Sequence, residues 1–184
     1  MPRKPRQEVE DGVHHVFARG NRRQDIYLDD HDRKLYLALL ARTVAAKRWR
    51  CLSYCLMDNH VHLLIQTPEA NLGAGMQRLH GYYGRNFNER HDNSGHLFQG
   101  RFGSELVTDD EQMWTTVRYI ARNPVEAGCC GDPADWPWSS HVAVVRGNPP
   151  QWLDRQRLVS SFEPAGGDPW ERYREFVEDA KPRG

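Results

Sequence analysis

At 184 residues the chain has the size of one domain with an appendage at most, and it can bury a core without disulfide or metal staples. Its 25 Lys+Arg balance 25 Asp+Glu, giving formal net charge +0 and a pI of about 7.1, so the composition as a whole announces no polyanionic partner. Mean hydropathy of -0.80, no apolar run near the roughly 18 residues of a membrane span, and an N-terminus, MPRKPRQEVEDG, without an apolar stretch predict no membrane helix, no secretory signal and a cytoplasmic location.

The neutrality hides an asymmetry. Up to Gly103 there are 16 Lys/Arg against 11 Asp/Glu, and after it 9 against 14. A basic surface on a neutral chain is one reading of this, and ordinary solvated faces are the other. The cysteines, Cys51, Cys55, Cys129 and Cys130, match no compact zinc-finger spacing, which leaves reduced structural thiols.

Taken along the chain, residues 1–12 are charged and Pro-containing and predict a loose arm. Val13 to Arg19 is short, rich in β-formers and closed by Gly20-Asn21, a first strand. Asp29 or Asp30 caps a helix to about Lys47, with Leu35, Leu39, Leu40 and Val44 as its apolar face and Arg33, Lys34, Arg42, Lys47 and Arg48 opposite. Cys51 to Met57 and His60 to Gln66 form a hairpin around Asp58-Asn59. Asn71 opens a second helix to roughly Glu89, and Phe98 to Val107 is a fourth strand interrupted by Gly100 and Gly103. The T-x-x-E of Thr108 to Glu111 is a capping box for a third helix that stops near Asn123-Pro124. A Pro/Trp-rich remainder follows. The order β-α-β-β-α-β plus a helix predicts an α+β, ferredoxin-like (split βαβ) antiparallel sheet with helices on one face, the other face open, and an added tyrosine-bearing helix.

Alternation along the third strand puts His60, His62 and Leu64 on one face and Val61, Leu63 and Ile65 on the other. Two imidazoles at i and i+2 can share one divalent ion, or can simply be hydrogen-bonded surface histidines. On the third helix Met113, Trp114, Val117, Ile120 and Ala121 form the core stripe, and Tyr119 points about 200° away from it. Asn123, one turn on, can add an oxygen donor beside the phenol; alternatively it caps a short helix beginning at Pro124.

Several stretches together resemble a family. His60-Val61-His62 after Met57-Asp58-Asn59, Gly95 to Phe102, Tyr119 to Val125 and Asp135 to Ser140 are similar to the HUH single-tyrosine transposases, most closely the REP-associated tyrosine transposase group, over roughly residues 13–145 and in the same order. The resemblance implies a catalytic domain at 13–145, with 146–184 an extension of unassigned role. It implies a DNA transposase and strand transferase acting on single-stranded or hairpin DNA, as a monomer or homodimer. By match to the motifs, Tyr119 is the nucleophile and His60, His62 and Asn123 hold a divalent metal, Mg or Mn. The products are then a 5'-phosphotyrosine and a free 3'-OH. A single-stranded DNA-binding module that keeps the fold without turnover is the alternative.

Candidate DNA contacts are Arg19, Arg22 and Arg23 after the first strand, and Arg85, His96, Gln99 and Arg101 around the Gly-rich region, with Phe98 or Trp138 to stack on unpaired bases. His15 neighbours the H-x-H strand and is a candidate to support its histidines.

Overall fold

The computed structural model describes residues 9–160 and 167–179. Its elements in chain order are β1 (Gly12–Arg19), α1 (Asp30–Lys47), β2 (Arg50–Leu56), β3 (His60–Thr67), α2 (Leu72–His91), β4 (Gly103–Val107), α3 (Asp110–Glu126), α4 (Ser140–Val145), α5 (Arg155–Val159) and α6 (Pro169–Glu178). The strands form one antiparallel sheet in the order β2-β3-β1-β4. This is the expected α+β, split βαβ arrangement, with β1 and β3 at the centre.

Register decides what each sheet face carries. Arg19 pairs with His60, Phe17 with His62, His15 with Leu64 and Cys55 with His62, so these side chains share one face. Val16 opposite Leu63 and Ala18 opposite Val61 share the other, and all four are buried.

Helix α1 begins where Asp29 accepts from the Asp32 backbone N–H, and it packs against α2. Its buried side chains are Asp32, Arg33, Tyr36, Leu40, Thr43 and Val44, which departs from the predicted stripe: Leu35 and Leu39 are half-buried, while Arg33 turns inward. Arg33 does so because Asp58 in the β2–β3 turn pairs with it and the rings of Tyr27 and Trp138 lie 5.5 and 5.6 Å from its guanidinium. Arg90 and His91 at the end of α2 reach back to the buried Asp32 carboxylate at 2.7 and 2.9 Å. Gly75 of α2 lies against Trp49, whose indole occupies the space a Cβ would need.

Two boundaries differ from expectation. The fourth strand starts at Gly103, and Phe98 contributes only an isolated bridge to Gly20, because the chain bends through residues 99–101 and leaves the ladder. The cap of α3 is Asp109, which accepts from Gln112 N–H at 2.7 Å, while the Gln112 side chain accepts from the Thr108 backbone N–H at 2.9 Å. The box is thus shifted by one residue. Helix α3 also runs through Pro124 to Glu126. A proline this close to a helix end disturbs few carbonyls, and Gly128, at φ 73, ends the run.

The sheet face expected to stay open is partly covered, since α3 packs on β2 and touches β3 and β4. The remainder of that face becomes a cleft. Outside β2, Leu56 N–H donates to Trp138 C=O at 2.9 Å and Asp154 N–H to Cys51 C=O at 2.8 Å, so segments around Trp138 and Leu153 cover this edge and remove a site for unwanted strand pairing. Helix α6 lies against α3, where Arg122 donates to the carbonyls of Val177 and Glu178. Residues 1–8 of the predicted arm, 161–166 and 180–184 lie outside the described residues.

Candidate functional site

The uncovered part of the histidine face, walled by α3, is a cleft of about 790 Å³ lined by His15, Phe17, Arg19, His60, His62, Gln99, Glu105, Tyr119, Asn123 and Glu126, among others. Strand β3 supplies the two imidazoles on one side because they are two residues apart. Helix α3 supplies Tyr119 and Asn123 on the other because they are four apart. The core stripe Met113, Val117, Ile120 and Ala121 is buried, which turns the opposite side of α3 toward the cleft. The Tyr119 ring stands edge-on to His62, centroids 5.3 Å apart, and 5.8 Å from His15.

Each histidine has its Nδ1 engaged. His60 Nδ1 is 2.7 Å from Asn59 Oδ1, and His62 Nδ1 is 3.0 Å from His15 Nε2. The Nε2 atoms are then the nitrogens left for the cleft, and that of His60 lies 2.9 Å from Asn123 Oδ1. Asn123 sits inside a continuous helix with its amide in the cleft, so it does not cap a new one. Burial lowers the pKa of His60 and of His15, in the second case against the opposing pull of Glu105. His62 is held down to about 3 by burial and then by the neighbouring charges of His15, His60 and Arg19. Burial thus favours the uncharged, lone-pair-bearing form of all three imidazoles.

Imidazole nitrogens and an amide oxygen are donors that a divalent cation accepts. Two neighbouring donors at about 2.1 Å from one octahedral ion stand roughly 3 Å apart, which matches the 2.9 Å between His60 Nε2 and Asn123 Oδ1. Among the described residues no group of three or more His, Cys, Asp or Glu side chains is placed to hold a metal, so a metal site here would need the asparagine oxygen as a donor.

The seven candidate DNA contacts fall into three places. Arg19 and Gln99 line the cleft just described. Arg22 and Arg23 are exposed in the 3-10 turn Asn21–Arg23 directly after β1. Arg85, His96, Gln99 and Arg101 line a second cleft of about 910 Å³ between α2 and the 95–102 loop, so Gln99 borders both. The loop is pinned beside β1 by Gln99 N–H donating to Arg19 C=O at 2.9 Å. Neither aromatic proposed for base stacking is open: Phe98 is buried and stacked on His80, centroids 4.2 Å apart, and Trp138 is half-buried beside Arg33. Sequence reasoning missed Phe17, Glu105 and Glu126 as cleft residues. For Phe17 the signal was available in strand alternation, which puts it on the His15 face, whereas Glu105 reaches that face through the register of β4 against β1.

An antiparallel split βαβ sheet that presents a pair of imidazoles to a helix-borne tyrosine defines a ferredoxin-like domain with a composite His/Tyr cleft. The sequence profile of the IS200-like transposases matches residues 9–123, and the chain belongs to that family. A Haemophilus influenzae protein described as a REP-associated tyrosine transposase is 32% identical over 112 residues, covering 53% of this chain and 63% of its own length; the chain thus spans less than two thirds of that relative. A solved REP-associated tyrosine transposase, bound to a REP hairpin, shares the fold at TM-score 0.67 and 20% identity, over 82% of this chain and 89% of its own.

Proposed function

We propose that the chain is a metal-dependent DNA transposase that cuts single-stranded DNA beside a hairpin through a 5'-phosphotyrosine on Tyr119 and rejoins strands by the reverse step. The observation that carries this reading is the meeting of His60, His62, Asn123 and Tyr119 in one cleft. Hairpin DNA as substrate is supported by the fold neighbour solved with a REP hairpin.

A phenol with a pKa of about 10 is a weak nucleophile at neutral pH. A divalent ion, Mg or Mn, held by His60, His62 and Asn123 would supply Lewis-acid polarisation of the scissile phosphate. The Tyr119 oxygen bonds to phosphorus as the P–O3' bond breaks; the phenol gives up its proton and the departing 3'-oxygen takes one up. Because the phosphodiester energy is retained in the Tyr119 ester, an incoming 3'-OH reverses the step without a nucleotide cofactor. His15 and Asn59 hold the Nδ1 atoms of His62 and His60 and so fix which nitrogen faces the phosphate. Arg19 and Gln99 lie where the strand would leave the cleft, and Arg22 and Arg23 extend positive charge beyond it.

The test is incubation of the protein with hairpin oligonucleotides carrying single-stranded flanks, in Mg²⁺ or Mn²⁺, followed by denaturing electrophoresis. A protein–DNA adduct made by the parent and not by Tyr119→Phe supports the proposal. An adduct formed equally by Tyr119→Phe overturns it.

A further inference from the structure

Phe17 is out of place by the ordinary rules of burial. It sits in a central strand yet is 36% exposed, and among the described residues it is the exposed large hydrophobic that lines the Tyr119 cleft. A phenyl ring left open between imidazoles and polar groups is the kind of exposure that asks for a reason. Its neighbouring rings are His15 and His62, with centroids 5.5 and 6.4 Å away and planes tilted by 52° and 44°. Neither stacks on it.

The strand beneath makes room for this ring. Gly103 is the register partner of Phe17, and a Cβ at Gly103 would run into three atoms of the phenyl group. The φ of Gly103 is not in the left-handed region, so backbone conformation does not demand glycine there. Glycine weakens a strand interior; here it lets the Phe17 ring lie over the β4 backbone while the rest of the ring meets the cleft.

We propose that Phe17 is the platform on which one unpaired base next to the scissile phosphate stacks, a positioning residue for the strand that Tyr119 attacks. This rests on the DNA-cleaving reading above. The 6.4 Å between the Phe17 and His62 rings is less than two nucleotide rises of about 3.4 Å, so the stacked base belongs to a nucleotide at or beside the phosphate held at the histidines. Stacking uses the π-face that every base has, so it fixes position without reading sequence. It also holds the chain for in-line attack.

The experiment uses hairpin oligonucleotides with 2-aminopurine placed in turn at each unpaired position flanking the stem, titrated with the full chain in the absence of divalent ions, so that binding is read without cleavage. One position should be quenched by the parent and by Phe17→Trp. Phe17→Ala should lose that quenching and bind about 5- to 150-fold more weakly. Phe17→Leu keeps the apolar bulk without the π-face, and it should behave like Phe17→Ala; behaviour like the parent would mean that the ring only packs and would overturn the proposal. Gly103→Ala, which displaces the ring, should weaken binding in the parent and add nothing in the Phe17→Ala background. Unchanged quenching and affinity in Phe17→Ala, with the parent still forming its adduct, would sink the stacking role alone. A parent that binds no hairpin oligonucleotide would remove the DNA-cleaving reading and this one with it.

Discussion

His15 Nε2 lies 3.0 Å from His62 Nδ1, a bond between the two central strands of the sheet. If His62 presents a lone pair at Nε2, its Nδ1 carries the proton and donates to His15, whose own Nδ1 then faces Glu105 at 3.9 Å. His15 thus holds His62 from behind, and under the proposed function it would orient an imidazole that holds the metal. His15→Ala should lower Mn²⁺ affinity about 10- to 100-fold while leaving the fold intact, measured by calorimetric titration at fixed pH. Unchanged affinity would show that His62 needs no such support.

Asn123 should behave as an oxygen donor. Asn123→Ala removes that donor from beside His60 Nε2, so metal affinity should fall by about tenfold or more. Asn123→Asp places a carboxylate at the same position and should bind Mn²⁺ at least as tightly as the parent, since hard divalent ions favour charged oxygen. If both variants bind like the parent, the asparagine is not part of the site.

Much of this arrangement was legible in the residues. The H-x-H alternation and the 200° offset of Tyr119 from its core stripe each depend on local periodicity alone, and both hold in the structure. What local periodicity could not show is where distant partners sit. Arg33 reads as a solvent-facing charge until Asp58, 25 residues on, is brought against it. Phe17 reads as an ordinary strand former until the register with Gly103 exposes its ring. The extent of α3 beyond Pro124 was missed for a related reason: the rule that proline ends a helix weighs one lost hydrogen bond, whereas Asn123 and Pro124 are held by packing, both being buried.

Acid should destabilise the fold through histidines outside the cleft. Burial holds His80 down to about 3 and His141 to about 4, the latter with opposing effects from Asp132 and Arg174; His80 lies 3.2 Å from the Tyr36 hydroxyl and His141 3.2 Å from that of Tyr173. Their folded pKa values lie below the unfolded value of about 6.5, so the unfolded chain binds more protons as pH falls below that point. The stability they support is full above pH 6.5 and declines toward pH 4 and below, by up to about 1.4 kcal/mol per pH unit for each group. Urea unfolding at pH 7.5, 6.5, 5.5 and 4.5 should show this fall, less steeply in His141→Gln. A midpoint that stays constant or rises on acidification would contradict it.

Two glycines of α2 should respond oppositely to alanine. Gly75→Ala drives a methyl group into the Trp49 indole and should cost about 1–3 kcal/mol. Gly81 has nothing within 4 Å of its would-be Cβ and lies inside a regular helix, so Gly81→Ala should stabilise by about 0.5–1 kcal/mol. Thermal or urea denaturation of the two variants beside the parent reads both signs.

The central claim is that Tyr119 takes the 5'-phosphate of a cut strand in a cleft it shares with His60, His62 and Asn123. The most direct measurement is digestion of the gel-purified protein–DNA adduct with protease and nuclease, followed by mass spectrometry of the modified peptide. The account predicts a nucleotide 5'-phosphate on Tyr119, with none in Tyr119→Phe. A nucleotide on any other residue, or cleavage that leaves no covalent peptide adduct, would contradict it.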